Sequence, residues 1–438
     1  MGVVTAGRAR GDERELYFPE PELGMAHFGI PSPDHKWVVI VEMDNFSWLR
    51  CRLMPMDGSS KGAAIGPGGL CSSAAWSPDG KWIYLTSDGG GLADHIWRMK
   101  FPNGTPEQIT SGPTGEAGVA LEPDGQSFIT SVGNAQGTVW FHDKVGDRQI
   151  SGEGYADDPM LTEDGKTLFY LKRNLSRNGG TDSNPPPDEV EVMRADLRSG
   201  TSDEVFNIPN LNDIDISVDG TQIVYSTSGA DSRHHAWVAP TDHTAPPRQI
   251  TSPDQDDDSV HVLRNGGFVF RRREQGRYFV FAIKRDGSEL HKVLPIAVSQ
   301  MNVSPDGEFV VAFGGEKDKQ LTGVHIYRVT DGSSRMLCEA CYPYWSRDGK
   351  RLYISFALVS RSESQTHGQT YVLQWNRATP WKALGPKGTR SEAEIAKVAA
   401  MVPAAGKAEV FEPGPSGDDA YAYSLRTIQR NLYRVPVR

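Results

Sequence analysis

The chain alternates short apolar stretches with polar turns, and one arrangement of the two recurs along most of its length. In the clearest copy, Ala74–Tyr84, a strand of small and apolar residues leads into Ser-Pro-Asp-Gly, and a second apolar strand follows. Proline presets φ at the second turn position, and glycine supplies the positive φ that completes a short hairpin. The pattern therefore predicts two neighbouring antiparallel strands joined by a tight turn.

Copies of this turn recur at intervals that suit a whole four-stranded unit. Consecutive turn aspartates are mostly 40 to 55 residues apart, and the one interval of 87 residues holds a degenerate copy at residues 264–267. A four-strand period of this size is the signature of a β-propeller. Apart from this degenerate copy, the turns are Ser32–His35, Ser77–Gly80 (the clearest copy), Glu122–Gly125, Thr162–Gly165, Ser217–Gly220, Ser304–Gly307 and Ser346–Gly349.

The repeats predict one all-β domain over residues 1–438, a closed β-propeller of eight or nine four-stranded blades with one blade per repeat. The strand at Arg14–Phe18 has no hairpin partner of its own, whereas the last repeat has three strands and lacks a fourth. Because ring closure removes exposed sheet edges, we expect the N-terminal strand to complete the last blade.

Two segments interrupt the repeats. Residues 173–188 are rich in Asn, Gly, Ser and Pro, which predicts a long loop. Ser391 with Glu394 makes a capping box in front of an alanine-rich stretch, which predicts a helix over about residues 390–402.

Composition and charge narrow the range of partners. The net charge of −10 argues against nucleic acid or an anionic membrane surface. No apolar stretch approaches the roughly 20 residues of a transmembrane helix, and Met1–Arg14 has no apolar core of a secretory signal. We expect a monomer without a membrane segment, extracytoplasmic if it is the sensor part of a longer receptor and otherwise cytoplasmic.

The four cysteines add little to this picture. Cys51 and Cys71 lie in different repeats with no spacing logic and are interpreted as small core residues. Cys338 and Cys341 have the C-x-x-C spacing of redox sites and of half a zinc site. No second ligand pair accompanies them, so a structural role, paired or unpaired, is favoured over a metal or redox role.

Candidate binding residues follow from the expected ring. First strands line the channel of a propeller, and ligands usually meet the face with the loops between strands two and three and between blades. The turn aspartates belong to the opposite face and are interpreted as turn formers. Ring symmetry should gather the residues that begin successive repeats around one funnel. The candidate ligand-binding residues are Asp157, Asp158, Asp213, Asp257, Asp258 and His261, with Arg271 and His367 on adjoining loops.

This funnel has no catalytic signature. Neighbouring carboxylates raise one another's pKa or recruit a cation, so the expected ligand is a cationic group, a divalent cation or a peptide segment. A solvated rim would explain the same residues. The sequence has no Gly-x-Ser-x-Gly, no His-Glu-x-x-His and no phosphate-binding glycine loop, so no catalytic residue and no further cofactor is predicted.

The repeats at Ala74–Tyr84 and Tyr344–Tyr353 resemble the TolB-type propeller repeat. A narrower resemblance is to the C-terminal propeller of bacterial receptor-type serine/threonine kinases, in which a kinase domain precedes the propeller. This chain has no kinase motif, so the resemblance implies the sensing part alone and carries over no catalytic residue. The segments that carry it are Arg14–Phe18, Met25–Phe28, Trp37–Asp44, the Cys338/Cys341 pair and Gln429–Pro436.

The sequence therefore favours a non-catalytic propeller that binds a protein, peptide or small molecule, as a sensor or interaction module of a bacterial signalling protein. The first alternative is a propeller enzyme, a metal-assisted lyase or hydrolase, for which only His261 is suitably placed. A second alternative is a gating domain for a peptidase partner.

Overall fold

A computed structural model describes most of the chain and divides it into two compact units. Unit 1 comprises Met1–Ala135, Asn174–Pro186 and Thr427–Arg438, and unit 2 comprises Gln136–Arg173 and Pro187–Arg426. The predicted loop at 173–188 lies outside the described residues, except for Arg173. The described residues are 3–5, 14–18, 25–43, 48–89, 94–112, 114–152, 154–173, 190–229, 231, 233–313, 323–356, 358–359, 366–367, 369–402, 410–413 and 420–437.

Unit 1 contains two complete four-stranded antiparallel sheets. The unit begins with the pair β1 (Val3–Thr5) and β2 (Arg14–Tyr17). Sheet A is β3 (Met25–Pro31), β4 (Trp37–Met43), β5 (Arg52–Pro55) and β6 (Ala63–Ala64). Sheet B is β7 (Cys71–Trp76), β8 (Trp82–Ser87), β9 (His95–Lys100) and β10 (Glu107–Gln108), and β11 (Gly115–Leu121) follows it.

Two further sheets, C and D, follow in unit 2, after the long strand β12 (Ser127–Asp143) and β13 (Gly146–Gln149). Sheet C is β14 (Tyr155–Leu161), β15 (Thr167–Arg173), β16 (Val190–Asp196) and β17 (Ser202–Ile208). Sheet D is β18 (Leu211–Ile216), β19 (Gln222–Ser228), β20 (His234–Pro240) and β21 (Arg248–Gln249).

Sheets E, F and G continue the series. Sheet E is β22 (Asp257–Val262), β23 (Phe268–Glu274), β24 (Arg277–Ile283) and β25 (His291–Ala297). Sheet F is β26 (Gln300–Val303), β27 (Phe309–Phe313), β28 (Val324–Arg328) and β29 (Ser334–Cys338). Sheet G is β30 (Tyr342–Trp345), β31 (Arg351–Ser355), β34 (Thr370–Gln374) and β35 (Ala400–Met401), with the hairpin β32 (Leu358–Val359) and β33 (Thr366–His367) inserted. The chain continues from helix α1 (Glu392–Ile395) to β36 (Val410–Pro413) and β37 (Tyr421–Pro436).

The turns between first and second strands form as the sequence predicts. In the clearest copy, the Asp79 carboxylate accepts hydrogen bonds from Ser77 Oγ at 2.7 Å and from the Lys81 amide at 3.1 Å. Gly80 has φ of 69°, and the hydrogen bond from the Ser77 hydroxyl, followed by that from the Lys81 amide, lowers the pKa of Asp79 to about 2. The interpretation of the turn aspartates as turn formers is therefore confirmed for this copy.

The long strands β12 and β37 are hydrogen-bonded neighbours, and each contributes residues to both units. In unit 1, the Val437 amide donates to the Gln126 carbonyl at 2.8 Å, beside the β11–β12 pair. In unit 2, Thr138 Oγ1 donates to the Leu425 carbonyl at 3.5 Å, β36 pairs with β37, and β13 pairs with β12. The result in unit 2 is a composite sheet with the order β36–β37–β12–β13.

The composite sheet packs against sheets on both of its sides within unit 2. Val139, Phe141 and Ala422 join an apolar cluster with residues of sheet C. Tyr421 and Tyr423 join another cluster with residues of sheet G. Further apolar clusters lie between C and D, D and E, E and F, and F and G. Each of the six sheets therefore packs face to face on the next, and sheet G, the last, packs on the composite sheet.

These sheets define an all-β protein of the β-propeller class, as predicted, but three details differ. Arg14–Tyr17 pairs with Val3–Thr5 instead of completing the last blade, because β12 and β13 already supply the strands that the last blade lacks. The repeat that contains β11–β13 is shared between two sheets, so one repeat does not always form one blade.

The third difference is the predicted helix, which spans only Glu392–Ile395. Ser391 makes no side-chain capping bond, and the Glu394 carboxylate instead accepts from the Arg390 amide at 2.7 Å. The helix stops early because Ala400–Met401 must be extended to pair with β34.

All four cysteines form disulfides. Cys51 and Cys71 lie in the core, as interpreted, but they also form a disulfide that was not predicted, which joins the start of sheet A's third strand to the first strand of sheet B. Spacing alone could not reveal this bond, since it depends on how neighbouring blades sit side by side. Cys338 and Cys341 are also paired, which agrees with the favoured structural role.

We expect the composite sheet to hold unit 2 together. Deleting residues 410–438 removes its first two strands and their packing on sheets C and G, so the melting temperature should fall by far more than the roughly 2–4 °C that 1 kcal/mol represents in a large domain. Deleting residues 1–18 should have a much smaller effect. Thermal unfolding followed by circular dichroism compares the two, and equal losses would contradict the account.

The two disulfides should differ in their contribution to stability. Their partners are separated by 20 and 3 residues, and a cross-link over a longer loop removes more entropy from the unfolded chain. We expect C51A/C71A to lose about 3 kcal/mol and C338A/C341A about 2 kcal/mol on the chain-entropy model. Guanidinium unfolding of both double variants measures this, and the reverse order would refute the expectation.

Candidate functional site

A cavity of about 320 Å³ lies among the first strands of five sheets of unit 2. Its walls come from β14, β18, β22, β26 and β30, as expected for the channel of a propeller. The polar and aromatic residues that line it include Asp158, Arg173, Asp213, Asp215, His261, Asn302, Tyr344 and Arg347. Three of the eight predicted residues, Asp158, Asp213 and His261, therefore line one cavity.

His261 is held in this cavity by a network of charged groups. Its Nδ1 lies 3.2 Å from Asp215 Oδ2, and Arg347 Nη1 donates to Asp215 Oδ1 at 2.7 Å. Burial disfavours the charge on Asp215, but Arg347 and His261 outweigh it and lower the pKa of this carboxyl to about 2. Asp215 is therefore ionised at neutral pH and holds the side chains of His261 and Arg347 in place.

The same network of charged groups extends to the turns of three sheets. Arg264 donates to both carboxylate oxygens of Glu163, at 2.7 and 2.8 Å, and to the carbonyl of Arg347 at 2.9 Å. Glu163 and Arg347 each occupy the second position of their turn, where most other copies have proline. Arg264 does so as well, because the Gly266 amide donates to the Leu263 carbonyl at 2.8 Å, which places this turn one residue before the predicted 264–267. Sequence reasoning missed these residues, although alignment of the repeats on the turns would have shown three charges at one equivalent position.

Asp157 and Asp158 share one guanidinium. Arg173 Nε lies 2.9 Å from Asp157 Oδ2, and its Nη2 lies 3.0 Å from Asp158 Oδ2. Burial opposes the charge on Arg173, but the two carboxylates raise its pKa. Asp158 lies at a β-bulge with φ of 47°, and its side chain is 42% exposed. A bulge with a strained residue aims a side chain away from the strand, which makes Asp158 an accessible carboxylate in this cavity.

Asp213 fastens sheet D to sheet E. Its carboxylate accepts hydrogen bonds from Ser226 Oγ at 2.5 Å, the Ser259 amide at 2.7 Å and the Val260 amide at 3.0 Å. These donors use most of the acceptor capacity of the carboxylate. Asp213 is therefore placed to hold two blades in register, and it is less free than Asp158 to bind a ligand.

Asp257, Asp258 and Arg271 lie in buried ion pairs. Arg272 Nε donates to Asp257 at 2.7 Å, and Arg271 Nε donates to Asp258 at 2.7 Å. Both carboxylates are 0% exposed, and burial raises the pKa of Asp258 even though Arg271 opposes this. The sequence pattern could not separate these acids from Asp158, because the arginines that neutralise them are on the neighbouring strand.

His367, the eighth predicted residue, lies in β33 and pairs with Leu358 of the inserted hairpin. Within the part of the chain that the structure describes, no three His, Cys, Asp or Glu side chains form a group that could hold a metal ion. No helix among those residues is long and apolar enough to cross a bilayer.

Comparisons with known proteins give similarity of structure only. No family model and no curated protein matches the chain. TolB from Acinetobacter baumannii aligns at 12% identity over 70% of this chain and 76% of that chain, with a TM-score of 0.41. Oligogalacturonate lyase from Vibrio parahaemolyticus aligns at 13% identity over 78% and 97%, with a TM-score of 0.38. A puromycin-hydrolyzing peptidase of Mycobacterium tuberculosis aligns at 13% identity over 74% and 56%, with a TM-score of 0.35. The fold assignment rests on the sheets described above.

The low pKa of Asp215 predicts a loss of stability in acid. A carboxyl whose folded pKa is about 2, against 3.8 for the free group, contributes on the order of 2 kcal/mol above pH 4, and this contribution disappears as pH falls through 2. Asp215→Asn should therefore be much less stable than the wild type at pH 7, and the difference should shrink between pH 4 and pH 2.

Urea unfolding as a function of pH measures this difference. The control is Asp203→Asn, which removes an exposed ion pair with Arg194 and should cost less than about 1 kcal/mol at any pH. A stability gap for Asp215→Asn that stays constant from pH 7 to pH 2 would refute the prediction.

Proposed function

We propose that unit 2 is a binding module that recognises a small polar ligand or a short peptide segment in the cavity around Asp158 and His261. The observation that carries the proposal is the convergence of an accessible carboxylate and a fixed imidazole on a cavity of about 320 Å³. Small-molecule sites are usually concave, about 300–1,000 Å³ in volume, and carry a few convergent polar groups. The cavity lies at the low end of that range, so the ligand is about the size of an amino acid or one sugar.

The lining defines the chemistry of the ligand. Asp158 offers a carboxylate to ammonium or hydroxyl donors, and the half-buried Tyr344 belongs to the same lining. Arg173 and Arg347 already donate to Asp157, Asp158 and Asp215. We therefore expect a ligand with a cationic or hydroxyl-rich head group and an apolar body.

A sensor role agrees with the chemistry of the cysteines. Two disulfides are unusual in a reducing cytosol and favour an oxidising compartment. This supports the resemblance to the extracytoplasmic propeller of bacterial receptor kinases, in which ligand binding is the function of the propeller. On this proposal the chain binds its ligand without transforming it.

The contact between His261 and Asp215 favours one alternative, a propeller lyase or hydrolase. A carboxylate at Nδ1 fixes the imidazole tautomer and makes the other ring nitrogen a proton acceptor, as in general-base catalysis. In such an enzyme, His261 would remove a proton from a substrate bound at Asp158. A screen for ligands separates the two functions, since an enzyme converts the ligand that the screen finds and a binding module returns it unchanged.

A thermal-shift screen of amino acids, sugars, short peptides and divalent cations tests the proposal. A ligand at a hundred times its Kd should stabilise the protein by about 2.7 kcal/mol. Asp158→Asn and His261→Gln should each weaken a hit at least tenfold, because each removes a polar contact from the cavity. NMR spectra of the hit after incubation with the protein report any chemical conversion.

The matched control is Asp203→Asn, an exposed carboxylate of sheet C that lies outside the lining of the cavity. It should leave the affinity for every hit unchanged. Hits whose affinity survives both cavity substitutions would place the binding site elsewhere and overturn the proposal.

A further inference from the structure

A second opening in unit 2, the D–E groove, lies between sheets D and E and has a volume of about 1400 Å³. Sheet D contributes the end of β20 and the loop Thr244–Pro247. Sheet E contributes the start of β23, the end of β24 and the turn that follows it. None of its lining residues lines the cavity around His261 except Leu263.

The groove exists because the outer strand of sheet D is short. β20 has seven residues, but β21 has two and pairs only with Trp237 and Val238. Beyond them the chain turns away through Pro246 and Pro247, which fix φ and have no amide N–H. The end of β20 at Pro240 consequently has no outer strand beside it among the described residues.

The floor of the D–E groove is the edge of an apolar core. Val238, Phe268 and Ile283 line the groove and also belong to the cluster between sheets D and E. Pro240, Ala245 and Ala282 extend this surface. Val238, Phe268 and Ile283 are already at most 8% exposed, so the apolar area that an occupant can bury is mainly that of the other three residues, at about 25 cal/mol for each Å².

The rim of the groove carries an excess of positive charge, because three basic side chains of its lining outnumber two acidic ones. Glu289 pairs with Lys284, whereas Asp286 accepts from the Ser288 amide at 2.9 Å and its hydroxyl at 2.6 Å and keeps its charge. Arg248 donates to the Arg285 carbonyl at 3.2 Å. Among the described residues, neither of these two arginines has a carboxylate partner.

We propose that the D–E groove binds an acidic peptide segment of a partner protein. The volume exceeds the roughly 1,000 Å³ of a large small-molecule site, and a segment of several residues would fill it. The apolar floor suits hydrophobic side chains, and the guanidinium groups of Arg248 and Arg285, which have no carboxylate partner among the described residues, suit carboxylates. This local positive charge contrasts with the net charge of −10 of the whole chain, which otherwise repels acidic partners.

A random library of twelve-residue peptides, panned against the full-length protein, tests the inference. We expect the selected peptides to combine Asp or Glu with Leu, Ile, Val or Phe. R248E/R285E should bind a selected peptide at least tenfold more weakly by fluorescence anisotropy, and binding to the wild type should weaken as salt rises from 50 to 500 mM because the ions screen the rim.

The control is Arg277→Glu, an exposed arginine at the start of β24, the strand that ends at Ile283 in the groove. It makes the same kind of charge change in the same sheet and should leave the affinity unchanged. Selection of basic or uncharged peptides, failure to select any peptide, or equal affinity of the wild type and R248E/R285E would each overturn the inference. Loss of binding in Arg277→Glu as well would reduce it to a general charge effect and also overturn it.

Discussion

The fold of unit 2 depends on the pairing of β12 with β37, two strands that lie almost 300 residues apart in sequence. These strands bring residues near position 140 and near position 422 into the composite sheet, which packs on sheets C and G. Within unit 2, Thr138 Oγ1 of β12 donates to the Leu425 carbonyl of β37 at 3.5 Å. Such a long-range contact orders much of the chain at once, so we expect it to form late and to make the folding of unit 2 cooperative.

The sequence was sufficient for the elements that depend on local chemistry. The Ser-Pro-Asp-Gly turns form because Asp79 and its equivalents bond to their own turn, and the period of the turns defines four-stranded sheets. Pairings between distant segments were not predictable in this way. Neither the Cys51–Cys71 bond nor the exchange of strands between blades leaves a local pattern, and the capping box at Ser391 was overridden by the pairing of β35.

At the candidate site, too, the sequence predicted local features but not the contacts between strands. The sequence located acidic residues at the starts of successive repeats, and the structure separates them by their partners. Asp257 and Asp258 are neutralised in the core by Arg272 and Arg271, whereas Asp158 remains accessible at a bulge. A buried carboxylate needs such a partner, because an unpaired charge in the core costs several kcal/mol. On the proposed function, the groups that bind the ligand are therefore the few polar groups of the cavity that keep some exposure, among them Asp158 and His261.

The central claim is that unit 2 binds its ligand in the cavity around His261. Histidine ring signals in NMR spectra test it most directly, with His261 assigned through His261→Gln and His291, which lines the D–E groove, assigned through His291→Gln. On titration with a ligand found by thermal shift, we expect the His261 signal to move and to saturate, while the His291 signal stays in place. A ligand that saturates the protein without moving the His261 signal would contradict the account.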